Sequence, residues 1–269
     1  MLFRSGCSTV IFVPAAIIIK LGCMQTESAQ PLDAGVFLID KPAGPTSFRM
    51  VHLVRRALRI KKVGHAGTLD PFASGLLIVC AGRPATKLIP RMMAGEKEYE
   101  ATLRLGVETD THDLTGQVIA ERDVGLIDQA RVSDCLAAFV GKQMQIPPRF
   151  AALKHNGKPL YYYARKGIEV VKAPREIEIF DLDLLALSEK SLSIRVVCSK
   201  GTYIRSLASD IGAFLGCGAH LTSLRRTRSG AFSVMDALSG RELDKHDEAQ
   251  AMLLDHMIEV EKVVTHLTN

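Results

Sequence analysis

The chain has 269 residues, of which 47% are hydrophobic and 23% charged, with a formal net charge of +5. That balance is ordinary for a globular chain of one domain, or one and a half, and excludes disordered, collagen-like and low-complexity classes. The six cysteines, at 7, 23, 80, 135, 198 and 217, form no Cys-x-x-Cys pair and meet no paired histidine spacing, so neither a zinc site nor a disulfide framework is indicated and the thiols read as reduced. From Arg241 onward three Lys or Arg face seven Asp or Glu, a balance of −4 that leaves +9 on the preceding residues. The basic part suits a polyanionic partner.

Residues 1–34 stand apart. Val10 to Ile19 is an apolar run after Arg4, closed by Lys20 and too short to span a bilayer. Two explanations are expected: a true start at Met24 with an upstream read-through before it, or an organellar transit segment.

Gly35 to Ile39 predicts a strand and Asp40 to Pro45 a turn. Thr46 or Ser47 is then the N-cap of a helix whose apolar positions are Phe48, Val51, Val54 and Leu58. The other face of that helix and its exit carry Arg49, Arg55, Arg56, Arg59, Lys61 and Lys62, either a solvated face or a phosphate-binding one. Gly64 to Gly75 is a glycine-bounded loop around the lone carboxylate Asp70, and Leu76 to Cys80 after it reads as a buried strand. Pro71 biases Asp70 towards extended backbone, so the carboxylate either caps a turn or points into a cleft.

Thr86 to Ile89 suggests a short helix, and Tyr99 to Leu105 alternates as a strand ended by Gly106. Asp110, His112 and Asp113 sit too close together in a Thr-rich turn to be read as a metal site. Val132, Cys135, Leu136 and Phe139 mark a helix closed by Gly141, and Asn156-Gly157 is a tight-turn signal before a short helix from Leu160 to Ala164. Of the consecutive tyrosines 161 to 163, at most two can face one groove, because adjacent helical positions diverge. Leu192, Ile194 and Val196 alternate as a strand. Ile204, Leu207, Ala208, Ile211 and Leu215 form a helical stripe ended by Gly216, and an acidic helix is expected around Ala249 to Val264.

Several motifs in one order carry a resemblance. Gly35 to Ser47, Lys62 to Pro71, Lys97-Glu98-Tyr99, Gln145 to Pro148, Lys154 to Tyr161, Cys198 to Arg205 and Gly218 to Leu221 are similar to the TruB-type tRNA pseudouridine synthases, over about Gly35 to Phe232. The resemblance implies an α+β domain with the pseudouridine-synthase fold, a mixed and mainly antiparallel central sheet flanked by helices and loops, with the active cleft across its middle. It implies isomerisation of uridine 55 in the T-loop of tRNA, without a metal or other cofactor, by an essential aspartate matching Asp70. It also implies that Arg205 pairs with Asp70 and lowers its pKa, and that Tyr99 stacks on the target base. Tyr203 and Leu224 would contact the flipped nucleotide, His65 would fill the stack that the uridine leaves, and Lys41 would line the cleft.

The expected organisation is an N-terminal extension (1–34), a catalytic domain (35–238) and a short helical C-terminal segment (239–269) in place of the RNA-binding PUA domain that members commonly append. A cytoplasmic monomer acting on tRNA, with no membrane, is expected, or an organellar one if residues 1–23 are a transit segment. A guide-RNA-dependent, dyskerin-like synthase and a non-catalytic tRNA-folding chaperone are the alternatives. An unrelated hydrolase or nucleotide enzyme is disfavoured, since the chain lacks Gly-x-Ser-x-Gly, Gly-x-x-x-x-Gly-Lys-Ser/Thr and Gly-x-Gly-x-x-Gly.

Overall fold

A computed structural model describes residues 34–151, 153–168, 170–245 and 248–267. The apolar run Val10 to Ile19 and Met24 lie outside them.

Strand β1 (Gly35–Lys41) enters the fold and leads to helix α1 (Ser47–Leu58), capped by the Thr46 side chain, which accepts a hydrogen bond from the Arg49 N–H. The helix buries Ser47, Met50, Val51, Leu53, Val54 and Leu58, and Phe48 is 61% exposed. Phe48 is therefore not a core position. The i, i+3, i+4, i+7 stripe starts one residue earlier, at Ser47, and Phe48 is turned about 100° away from it. The outer face, with Arg49, Arg56 and Arg59, is exposed as the pattern suggests.

Strand β2 (Val63–His65) and strand β3 (Ser74–Ala81) flank the Asp70 loop. β3 is apolar on both faces because both are covered. Leu77, Val79 and Ala81 join one core with α1, while Leu76, Ile78 and Cys80 join a second core with helices α2 (Arg83–Lys87) and α3 (Ile89–Ala94). Burying such aliphatic side chains contributes about 1.5–3 kcal/mol each. The single helix expected at Thr86 to Ile89 is in fact these two, each opened by a proline, Pro84 and Pro90, at its first turn.

Strand β4 (Lys97–Leu105) is followed by the small hairpin of β5 (Val107–Thr109) and β6 (Val118–Glu121), then by helix α4 (Gln129–Ala138) and strand β7 (Gly141–Gln145). The Asn156-Gly157 turn, both residues at positive φ (47° and 78°), joins β8 (Lys154–His155) to β9 (Lys158–Pro159) ahead of helix α5 (Leu160–Arg165). The long strand β10 (Arg175–Ser188) pairs with β11 (Ser191–Cys198). Helix α6 (Ile204–Leu215) then returns the chain to strand β12 (Ala219–Ser229), followed by β13 (Phe232–Ser233) and β14 (Leu238–Ser239).

Among the described residues ten strands make one sheet in the order β14-β1-β3-β12-β4-β11-β10-β7, with β2 and β13 beside β3 and β12. Only the β1–β14 and β12–β3 pairs are parallel. The fold is thus α+β with a mixed, mainly antiparallel central sheet, as the resemblance implies.

The C-terminal residues form α7 (Gly240–Lys245), α8 (Ala249–Asp255) and α9 (Val260–His266) instead of one acidic helix. The break falls at Ile258, which leaves the helical path to exchange two backbone hydrogen bonds of 2.9 Å with Val36 on β1. Leu243, Leu253 and Val263 reach the two cores, so these helices complete the packing against the β1 side of the sheet.

Candidate active site

The Asp70 loop is tied down at alternate residues, Gly67, Leu69 and Pro71. The Arg226 Nη2 donates to Gly67 O (3.2 Å). Ser47 Oγ donates to Leu69 O and accepts from the Leu69 N–H, both at 2.9 Å, from the buried face of α1. Pro71 O accepts from the Gly44 N–H at 2.8 Å and from Lys41 Nζ at 3.3 Å. Gly75, at φ 98°, closes the loop where β12 passes so near that a Cβ would overlap the Arg226 backbone. The Asp70 carboxylate caps no turn. It faces Arg205 across the cavity.

Arg205, on the first turn of α6, is 5% exposed at its side chain, so it is no surface residue. Its Nε lies 2.9 Å from Asp70 Oδ2 and its Nη2 3.3 Å from Asp70 Oδ1, a forked pairing that fixes the carboxylate plane. Its remaining donors go to Phe150 O (2.7 Å) and Thr111 O (3.4 Å), and Asp113 Oδ2 stands 3.6 Å away. Asp113 is buried in the Thr-rich turn, where its Oδ1 accepts from the Thr115 N–H and hydroxyl and from the Thr111 hydroxyl. The Asp110 carboxylate instead accepts from the Gln117 N–H, so the carboxylates of this turn do not converge.

The expected lowering of the Asp70 pKa by Arg205 is not the net result. Burial pushes the carboxyl up and Asp113 adds a second negative charge, and together these outweigh the guanidinium. About a third of the Asp70 side chain, 34%, remains open to the cavity.

That cavity, about 260 Å³, is lined by Asp70, Tyr99, Tyr203, Arg205 and Leu224 together with Lys97, Lys200 and Arg226. Four elements meet here: the loop before β3, β4 with Tyr99, β12 with Leu224 and Arg226, and the turn between β11 and α6 with Tyr203. Arg226 sits directly opposite Tyr99 in the β4–β12 register and hydrogen-bonds its phenol. Burial raises the pKa of Tyr99 and of Tyr203, so both rings are neutral at physiological pH. The Tyr203 backbone is clamped by one side chain, Gln145, which accepts from its N–H (2.8 Å) and donates to its carbonyl (3.1 Å).

Lys41 and His65 do not line this cavity. Lys41 is fully buried, with Nζ donating to Pro42 O (2.9 Å), Pro45 O (2.8 Å) and Pro71 O (3.3 Å), and burial lowers its pKa to about 8. It acts as a knot between the β1–α1 turn and the Asp70 loop. His65 ends β2 at the mouth of the same loop, half-buried, with burial and Arg226 holding its pKa below the usual histidine value. Ser47, Asp113 and Arg226 were not singled out as site residues by the sequence. Asp113 was visible as a carboxylate in a turn, and Arg226 lies two residues beyond Leu224.

The mainly antiparallel sheet thus carries, in one cavity, an aspartate forked to an arginine beside two tyrosines. The TruB family pseudouridylate synthase N-terminal domain matches residues 55–204, and the tRNA pseudouridylate synthase B C-terminal domain matches residues 205–265. A tRNA pseudouridine synthase B of Desulfotalea psychrophila is 58% identical over 239 residues, 87% of this chain and 97% of the relative; one of Bordetella pertussis is 49% identical over 222 residues, 82% and 91% of the two chains. Among solved structures, a chain of a Cbf5-Nop10-Gar1 complex is 30% identical with a TM-score of 0.66 over 86% of this chain, which spans 62% of that longer chain. The chain belongs to the TruB family and is an isomerase, a pseudouridine synthase.

Proposed function

We propose that this enzyme converts uridine 55 in the T-loop of tRNA to pseudouridine, with Asp70 as the nucleophile. The observation that carries this reading is that Asp70 is the only carboxylate lining the cavity among the described residues, and that it is aimed by Arg205. In the reaction the C1′–N1 bond of the uridine breaks, a C1′–C5 bond forms, the C5 proton leaves and N1 gains a proton. One ionised carboxylate suffices to hold the detached intermediate, whereas a glycosidase needs a second as acid or base. Arg205, forked to the carboxylate at 2.9 and 3.3 Å, favours the ionised form of Asp70 against the opposing effect of burial.

Tyr99 and Leu224 offer an aromatic and an aliphatic wall to the uracil, and Tyr203 closes the side towards α6. A cavity of about 260 Å³ takes one nucleoside and no duplex, so the target base is extruded from its stack. A neutral His65 at the loop mouth fills the vacated stack in this reading. Recognition then rests on loop shape and phosphates, to which the basic outer face of α1 contributes. A tRNA substrate is supported by the shared names of the relatives at 47–58% identity, which exceed the 28–30% shared with the ribonucleoprotein structures.

Unmodified tRNA carrying tritium at uracil C5 tests the reading. One tritium is expected in solvent per tRNA, and none from the same tRNA with cytidine at position 55. Release from the cytidine variant would refute the position, and no release from either would refute the activity.

A further inference from the structure

We infer that the wall of the cavity formed by Lys97, Lys200 and Arg226 is a subsite for an RNA backbone phosphate next to the target nucleotide. The inference rests on the reading of an RNA substrate proposed above.

Three cations line one small cavity, and none of them has a carboxylate partner among the described residues. The nearby acids are engaged elsewhere: Glu98 by Arg195 and Arg228, and Glu96 by Arg228. Asp70 is committed to Arg205. Arg226 is 2% exposed, and its hydrogen bonds go to neutral groups, from Nε to Leu76 O (2.7 Å) and from Nη2 to Gly67 O (3.2 Å), with the Tyr99 phenol beside it as a further neutral partner. Lys97 is 7% exposed, and its Nζ donates to Met93 O (2.6 Å) and to Gly95 O, which leaves one of its three N–H groups over.

Carbonyls satisfy the donors but not the charge, and buried charges are ordinarily paired. The mutual repulsion is visible in Lys97, whose pKa is lowered to about 8 by burial and then by Arg226 and Lys200. An anion entering from solvent would relieve it. Lys200 is the exposed member of the three, standing at the rim beside Gly201, whose positive φ of 87° turns the chain between β11 and α6. The arrangement is one exposed ammonium at the entrance and two buried cations behind it. A nucleotide whose base lies between Tyr99 and Leu224 brings a phosphate on each side of its ribose, and one of the two meets this wall.

The test is a thermodynamic cycle on RNA binding. A T-arm stem-loop RNA is prepared with all its phosphates, and again with a single neutral methylphosphonate at the linkage 5′ or 3′ to the target uridine. Binding is measured to the unmutated chain and to Lys200→Ala and Lys97→Met, from low to moderate salt. Lys200→Ala is expected to weaken the all-phosphate RNA about 5–10-fold and to reduce the slope of log K against log salt by about 0.7–0.9, one phosphate contact. With the methylphosphonate at the contacted linkage, the same substitution is expected to change nothing. Equal weakening of all RNAs by Lys200→Ala, or no weakening of any, overturns the subsite. Should Lys97→Met fail to fold, Lys200→Glu supplies the second variant, since Lys200 is exposed. Failure of the RNA reading itself would look different: the unmutated chain would bind none of the RNAs.

Discussion

Ser47→Ala removes one oxygen and strands two backbone groups. Ser47 Oγ both donates to and accepts from Leu69, at 2.9 Å each way, and the site is buried. Each buried group left without a partner costs about 1–3 kcal/mol. The better helix propensity of alanine at the first position of α1 returns about 0.5 kcal/mol. The net loss is expected to be about 1.5–5.5 kcal/mol, read as a lower urea midpoint at unchanged m-value. Leu69 precedes Asp70, so the loop that aims the carboxylate loosens as well, and a displacement on the order of 1 Å costs about 100-fold in the single-turnover rate at saturating RNA. Thr46→Ala is the control: it removes the cap of the same helix, about 1 kcal/mol, without touching the loop, and should leave the rate unchanged. The reasoning is refuted if Ser47→Ala stays within about 0.5 kcal/mol of the unmutated chain, or if both substitutions slow turnover alike.

Asp113→Asn removes the second negative charge beside Arg205. It should lower the Asp70 pKa, so that the acid limb of the pH–rate profile moves to lower pH; a limb that stays or rises contradicts the electrostatic account. Asp70 has a folded pKa above its unfolded value near 3.8, so the native state holds its proton longer and stability from this group is lost as pH rises through the raised value. Asp70→Asn should therefore be at least as stable as the unmutated chain at pH 7, with its advantage shrinking on acidification. Lys41 is the reverse case, with a folded pKa of about 8 against 10.5 unfolded. Its contribution to stability rises with pH between those values, and chemical denaturation of Lys41→Met should lose that rise. Binding of tRNA should weaken steeply with salt, and Arg56→Glu on α1 should flatten the slope by about 1–2 units; an unchanged slope removes α1 from the interface.

The sequence made the periodic elements legible. β1, β3, β4, β11 and α6 fall where apolar alternation or a helical stripe places them, because both faces of the central strands and one face of each helix are buried. Phe48 misled because an apolar residue at a helix start reads as core, while the stripe begins at Ser47, a polar residue whose hydroxyl has a partner in another loop. The break at Ile258 was invisible because its partner, Val36, lies at the other end of the described chain. Within the site, Asp70, Tyr99 and Arg205 were legible as motif positions. The direction of the Asp70 pKa was not, since it depends first on burial and then on Asp113, a turn residue that only the fold carries to Arg205. Lys41 looked like a cleft residue, yet the fold directs its ammonium to three carbonyls beneath the loop.

The most direct measurement is nucleotide-resolution mapping of pseudouridine in unmodified tRNA after incubation with the unmutated chain and, in parallel, with Asp70→Asn, with tRNA binding measured for both. Pseudouridine at position 55 is expected from the unmutated chain alone, with binding retained by both. Product from Asp70→Asn at a comparable rate would contradict the assignment of the nucleophile.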